Sequence, residues 1–304
     1  MKKCRDHFES IGFKSFSYYC SSDPDSLDLL IIESNDKRIA IADGTAPHSL
    51  EASIPGAVSE IIDLGTCWTS DILEENLHRI ASECAKKSLS FENAKKYLAA
   101  ASEVKTVLRK TAETGFDEEK AKKFIRRLLS SIPKQKTSAE KHTVITEAIS
   151  MKGALRLSTF DSAQTIIGVC DFAGISPIFF ELLAASIEKS ERSLVVSYSP
   201  LGDISEIYLP VQNIAFVPVR QGLNYFKLIR LSRFANKEYF SSSMAKRRFN
   251  ERCFLKLLDG ALASLADAKQ HHFALEEIYS KAMDFGAIDI IENRLLNSIE
   301  KKLL

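Results

Sequence analysis

A chain of 304 residues with 45% hydrophobic and 27% charged positions is long enough for two ordinary domains and too apolar for a disordered one. Lys+Arg 41 against Asp+Glu 40 leaves a formal charge of +1, so no global basicity suggests a polyanion partner and nucleic acid is not expected. No apolar run reaches the ~18 residues of a membrane span, and six scattered cysteines without a C-x-x-C pair predict reduced thiols in a cytoplasmic protein.

Taken in chain order, residues 1 to 12 read as a short amphipathic helix closed by Gly12, followed by the strand-forming run Phe16 to Cys20. The polar turn Ser21-Ser22-Asp23-Pro24-Asp25-Ser26 leads into Leu27 to Ile32. Next comes Ile39-Ala40-Ile41-Ala42, closed by Asp43 and the breaker-rich Gly44-Thr45-Ala46-Pro47-His48. A continuous apolar run of that kind predicts a strand covered on both faces, as in a parallel sheet. From about Ser70 to Ile132, Glu, Lys, Ala and Leu recur at helical spacing, and Pro133 to Lys141 reads as a linker. Strand-type runs return at Thr165–Cys170, Ser193–Tyr198 and Ile214–Val217, and a second helical region is expected over about 224 to 304.

The same order of elements occurs twice. Asp25 aligns with Asp203, Asp28 with Glu206, and Ile39 to Asp43 with Ile214 to Pro218. Farther on, Ile62-Asp63-Leu64 meets Ile229-Arg230-Leu231, and Leu128 to Ile132 meets Leu295 to Ile299, both 167 residues apart. Two copies follow, with domain 1 over 1–136, carrying a helical region of about 70–132, and domain 2 over 142–304. In copy two a strand and loop, Ile166 to Ser176, precede the helix that begins at Pro177. Their equivalent in copy one would fall before Met1, so copy one reads as lacking its opening strand. An open sheet edge is then expected there.

Tyr19 to Asp28, the box Asp43-Gly44-Thr45-Ala46-Pro47-His48, and Ile54-Pro55-Gly56-Ala57 together resemble a group of bacterial tandem P-loop NTPases, ATPase or nucleotide-kinase-like proteins that are largely uncharacterised. The resemblance is specific over about residues 1 to 68 and faint but collinear beyond. It implies an α/β fold of two P-loop-like parallel-sheet domains, each with a helical insertion, binding ATP or GTP with Mg2+. It places Asp43 as the acidic residue of the metal shell, a catalytic and metal position. It makes Gly168, Gly174 and Ser176 the remnant of a phosphate-cradling loop, and sets Asp23 and Asp25 near nucleotide or cation. Such loops hold phosphate with backbone N–H groups, a lysine and a helix N-terminus.

The sequence departs from that pattern at its charged positions. No Gly-rich lysine loop precedes the first helix, Gly174-Ile175-Ser176 stands in place of Gly-Lys-Ser, and Pro218 stands where copy one has Asp43. Losing such a cation costs on the order of a thousandfold in phosphoryl transfer. Each candidate has an ordinary structural reading too: Asp43 as a turn cap, Asp23 and Asp25 as an N-cap cluster, the glycines as a tight turn, His48 as a loop residue. Trp68 and Phe234 read as core anchors. Two functions are therefore expected to compete: a P-loop NTPase with ATP or GTP hydrolysis or phosphoryl transfer impaired in this chain, or a non-catalytic scaffold or regulatory protein on degenerate P-loop domains. A protein partner, or self-association through the helical regions, is expected with the second.

Overall fold

The computed structural model describes residues 1–20, 23–34, 37–45, 50–134 and 138–303. Helix α1 (Lys2–Ser10) turns Cys4 and Phe8, four residues apart, into a core and ends at Gly12, whose φ of 90° suits a residue without a Cβ. Strands β1 (Lys14–Tyr19), β2 (Leu27–Ser34) and β3 (Lys37–Ala42) follow in an antiparallel sheet of that order. A 3-10 turn at Leu64–Cys67 leads to α2 (Ser70–Glu75), the 38-residue α3 (Leu77–Thr114) and α4 (Glu118–Ser130).

Strands β4 (Lys141–Val144), β5 (Glu147–Ser150), β6 (Gly153–Arg156) and β7 (Thr165–Cys170) come next. After them lie α5 (Ser176–Lys189), β8 (Leu194–Tyr198), β9 (Ile204–Leu209), β10 (Ile214–Pro218) and β11 (Lys227–Arg230). A second 3-10 turn at Leu231–Phe234 leads to α6 (Lys237–Ser242), the 39-residue α7 (Met244–Ala282) and α8 (Phe285–Leu303).

The expectation of parallel sheets needs correction in both copies. The first sheet is wholly antiparallel, because β1, β2 and β3 are joined by short connections that reverse the chain. The second has six strands in the order β11-β7-β10-β9-β8-β4 and is mixed: β7 runs parallel to β10 and β11, and β4 to β8, whereas β9 is antiparallel to both its neighbours. Nor is β3 covered on both faces. Lys37, Arg38, Ala40 and Ala42 are exposed, and among the described residues no strand pairs with its second edge. The second helical region starts later than expected, since β11 occupies Lys227–Arg230.

The helical parts of the two halves repeat at a constant interval. The 3-10 turns begin at Leu64 and Leu231, α2 and α6 at Ser70 and Lys237, α3 and α7 at Leu77 and Met244, and α4 and α8 at Glu118 and Phe285, each pair 167 residues apart. The caps repeat too: Asp117 accepts from the Lys120 amide at 3.0 Å and Asp284 from the Ala287 amide at 3.0 Å. Small buried residues stand seven apart in the long helices, Ala94 and Ala101 in α3 and Ala261 and Ala268 in α7, the spacing of a close helix–helix seam.

The chain divides into two compact units that run across its sequential halves. Unit 1 holds Met1–Glu92, Ser150–Lys152 and Ser264–Leu304; unit 2 holds Asn93–Ile149 and Gly153–Ala263. In unit 1, the first-half sheet is packed by the last helix: Ile299 and Leu303 of α8 join Cys4, Phe8, Leu30 and Ile32 in one core. In unit 2, the second-half sheet is packed by a first-half helix, with Ala121, Ile125, Leu128 and Leu129 of α4 in the core of Ile167, Val169, Phe179, Leu183 and Phe216. Each copy thus gives its terminal helix to the other copy's sheet.

Backbone bonds fix this exchange reciprocally. Thr69 N–H donates to Ala282 at 2.7 Å and Asp284 N–H to Cys67 at 2.9 Å in unit 1; Asn236 N–H donates to Gly115 at 2.8 Å and Asp117 N–H to Phe234 at 2.7 Å in unit 2. The equivalent of buried Phe234 is therefore Cys67, and Trp68 is no core anchor: it is 43% exposed and leans on Tyr279 at 5.5 Å. All six cysteines are free, and among the described residues no helix is long and apolar enough to cross a membrane.

Candidate functional site

The strand–turn–helix formed by β7, the loop 171–175 and α5 is the one place where a central strand ends at a long helix N-terminus. Strand β7 is buried on both faces, at Ile166, Ile167, Gly168 and Val169, because parallel neighbours flank it and helices and loops cover the sheet. Ala173 and Gly174 then take left-handed backbone angles, φ 58° and 80°, which fold the chain back so that α5 can start at Ser176. That turn points amides at a common centre.

A carboxylate already sits on them. Asp171 Oδ2 accepts the Gly174 amide at 2.9 Å and Oδ1 accepts the Ser176 amide at 2.7 Å. Both bonds are charge-assisted, and the helix dipole favours the anion. Asp171 does for α5 what its N-terminal residue Ile175 does not, since no side chain of that residue caps the helix. Ile175 itself is fully buried in the unit 2 core, so its position faces packing and not solvent.

Gly168 has a different reason to be small. A Cβ there would lie 2.7 Å from Leu228 and 2.7 Å from Tyr225, so the residue sits where side chains from β11 and the preceding loop cross the strand. Pro218 ends β10 beside it, with the Val219 amide donating to Val169 at 3.1 Å.

The first-copy candidates occupy unit 1 and the loop glycines unit 2. Asp43 lies just past β3; its Oδ1 accepts the Thr45 amide at 2.9 Å and the Thr45 hydroxyl at 2.8 Å, an Asx-type turn. Asp23 and Asp25 both ion-pair with Lys152, Asp23 at 3.0 Å. Burial pushes the Asp23 carboxyl up, but Lys152 and the Asp25 amide outweigh it and hold the group below the usual carboxylate range. The same contacts, with Asp25 foremost, raise Lys152. His48 lies outside the described residues. Among the described residues no group of three His, Cys, Asp or Glu side chains is arranged to hold a metal ion.

Two features of unit 2 escaped the sequence. Asp171 is recognisable only in retrospect, as an acidic residue three and five positions before two loop amides. Glu206 is fully buried on β9, where Arg220 donates to it at 2.7 Å and Arg156 pairs with the same oxygen. Asp161 in turn holds Arg220. Strand alternation turns Ile207 and Leu209 to the helix-covered face and Glu206 and Tyr208 to the other, where Phe160 stacks on Tyr208 at 5.4 Å. A shallow polar cleft of about 410 Å³ lies where α3 meets α4, lined by Asp117, Lys120, Arg233 and Asn236. Arg233 there lies over the Phe124 ring at 4.7 Å.

No family model matches the chain, and no match was found among curated proteins or among solved structures.

Proposed function

We propose that this chain is a P-loop-NTPase-related protein that acts without turnover, as a scaffold whose exchanged helices carry protein contacts. Its relationship is to proteins that bind ATP or GTP with Mg2+. The supporting observation is the seat of Asp171: the two amides that a phosphate would occupy are taken by the chain's own carboxylate. A triphosphate would have to expel that anion and then meet buried Ile175 where a lysine would neutralise it. Asp43 is committed to its own turn and lies in the other compact unit.

The scaffold reading draws on the long helices. Leu77 and Leu89 of α3, and Phe249, Leu255 and Phe273 of α7, are exposed on helices whose small residues already serve the packed seam. Exposed aromatic and branched side chains on a rigid rod suit a protein partner. Calorimetric titration of MgATP and of MgGTP into the intact protein tests the nucleotide half of the reading. No saturable heat is expected; micromolar affinity for either nucleotide would refute it.

A further inference from the structure

The duplication allows the two sheets to be read against each other, and they differ by one strand. In the second copy, β7 lies between β10 and β11 and runs parallel to both. The counterpart of β10 is β3, by the match of Ile39 to Asp43 with Ile214 to Pro218; the counterpart of β11 is Glu60 to Asp63, 167 residues before Lys227 to Arg230. Among the described residues nothing pairs with the second edge of β3, and Glu60 to Asp63 forms no strand.

Both flanks carry the mark of a missing neighbour. Ile229 of β11 is 1% exposed against β7, whereas its equivalent Ile62 is 37% exposed. Ala215 and Val217 of β10 are buried, whereas the matching Ala40 and Ala42 are exposed. Yet β3 is a real strand, with Ile39 and Ile41 packed on the core that α1 and α8 cover. A flat apolar edge of this kind is a template for another strand.

We propose that the β3 edge and the Glu60–Asp63 segment together form a slot for one extended strand from another polypeptide, running parallel to β3 and apolar on both faces. The occupant's chemistry is that of β7, Thr-Ile-Ile-Gly-Val-Cys, because β7 fills the equivalent position in the second copy and is buried on both sides. A second copy of this chain is a poorer occupant. Pairing β3 with itself across a two-fold axis is antiparallel, and it leaves Ile62 uncovered. The inference rests on the duplication and is independent of nucleotide binding.

The test uses the intact protein and a synthetic peptide carrying Thr165–Cys170 with Cys170→Ser and terminal lysines for solubility. Hydrogen exchange is followed at Lys37–Ala42 and Glu60–Asp63 with and without peptide. Saturating peptide slows amides in both segments by at least about tenfold. A nitroxide on the peptide N-terminus broadens signals at the Lys37 end of β3. Ile62→Lys, a change at a part-exposed site, weakens peptide binding at least about tenfold and leaves the melting temperature in place. The proposal is overturned by unchanged exchange, by equal protection from a shuffled peptide, by broadening at the Ala42 end, or by protection that grows with protein concentration alone.

Discussion

Exchange of the terminal helices makes an unusual statement about where a mutation is felt. Ile125 belongs to the first half of the sequence and is fully buried in the unit 2 core, while Ile299 belongs to the second half and is buried in the unit 1 core. Ile125→Ala removes three carbons, worth about 2.4 kcal/mol at ~0.8 kcal/mol each, and incomplete collapse around the site raises the cost into the range of about 2–5 kcal/mol. At about 1.4 kcal/mol per decade, protection of amides that depend on this core falls by roughly thirtyfold or more. Native-state hydrogen exchange reads this strand by strand. Ile125→Ala should lower protection in β7, β8, β9 and β10 and spare β2, and Ile299→Ala should do the reverse. Loss confined to β1–β3 in Ile125→Ala, or spread evenly over both sheets in both variants, would refute the exchange.

Three further outcomes follow from single contacts. Asp171→Ala orphans the Gly174 and Ser176 amides and should cost about 1–2 kcal/mol in a denaturant melt, with Asp171→Asn recovering part of it; an unchanged midpoint would contradict the capping role. Gly168→Ala puts a methyl group 2.7 Å from Leu228 and Tyr225 and should destabilise the protein by about 1–3 kcal/mol, with Leu228→Ala partly rescuing it. The Asp23 carboxyl is held below its ordinary value, so its contribution is present above about pH 4 and is lost as pH falls through its folded value. The melting-temperature gap between the intact protein and Lys152→Ala should therefore be open at pH 7 and close by about pH 2; a gap that persists in acid would remove Lys152 as the cause.

The repeat was legible because helices impose spacing. Leu128 to Ile132 and Leu295 to Ile299 keep their register, and every helix start in one half recurs 167 residues later in the other. Which copy's sheet each helix packs on left no such trace. Leu128 and Ile299 are the same kind of apolar helix position, and only the backbone bonds at Gly115–Asn236 and Thr69–Ala282 decide the partner. Strand direction was equally hidden: Ile39-Ala40-Ile41-Ala42 has the apolar run of a central parallel strand, and it forms an edge because its counterpart of β7 is not among the described residues. The loop residues Gly174 and Ser176 were found by their resemblance to a phosphate cradle, while Asp171 was passed over because a short acidic residue after a strand is common. Lys152 was invisible as the partner of Asp23 and Asp25, since nothing local connects positions more than 120 residues apart.

The most direct measurement is a crystal structure of the intact protein grown with a millimolar excess of MgATP. The Asp171 carboxylate should remain on the Gly174 and Ser176 amides with no phosphate at the start of α5. A phosphate group bound by those two amides, with Asp171 swung away, would contradict the account.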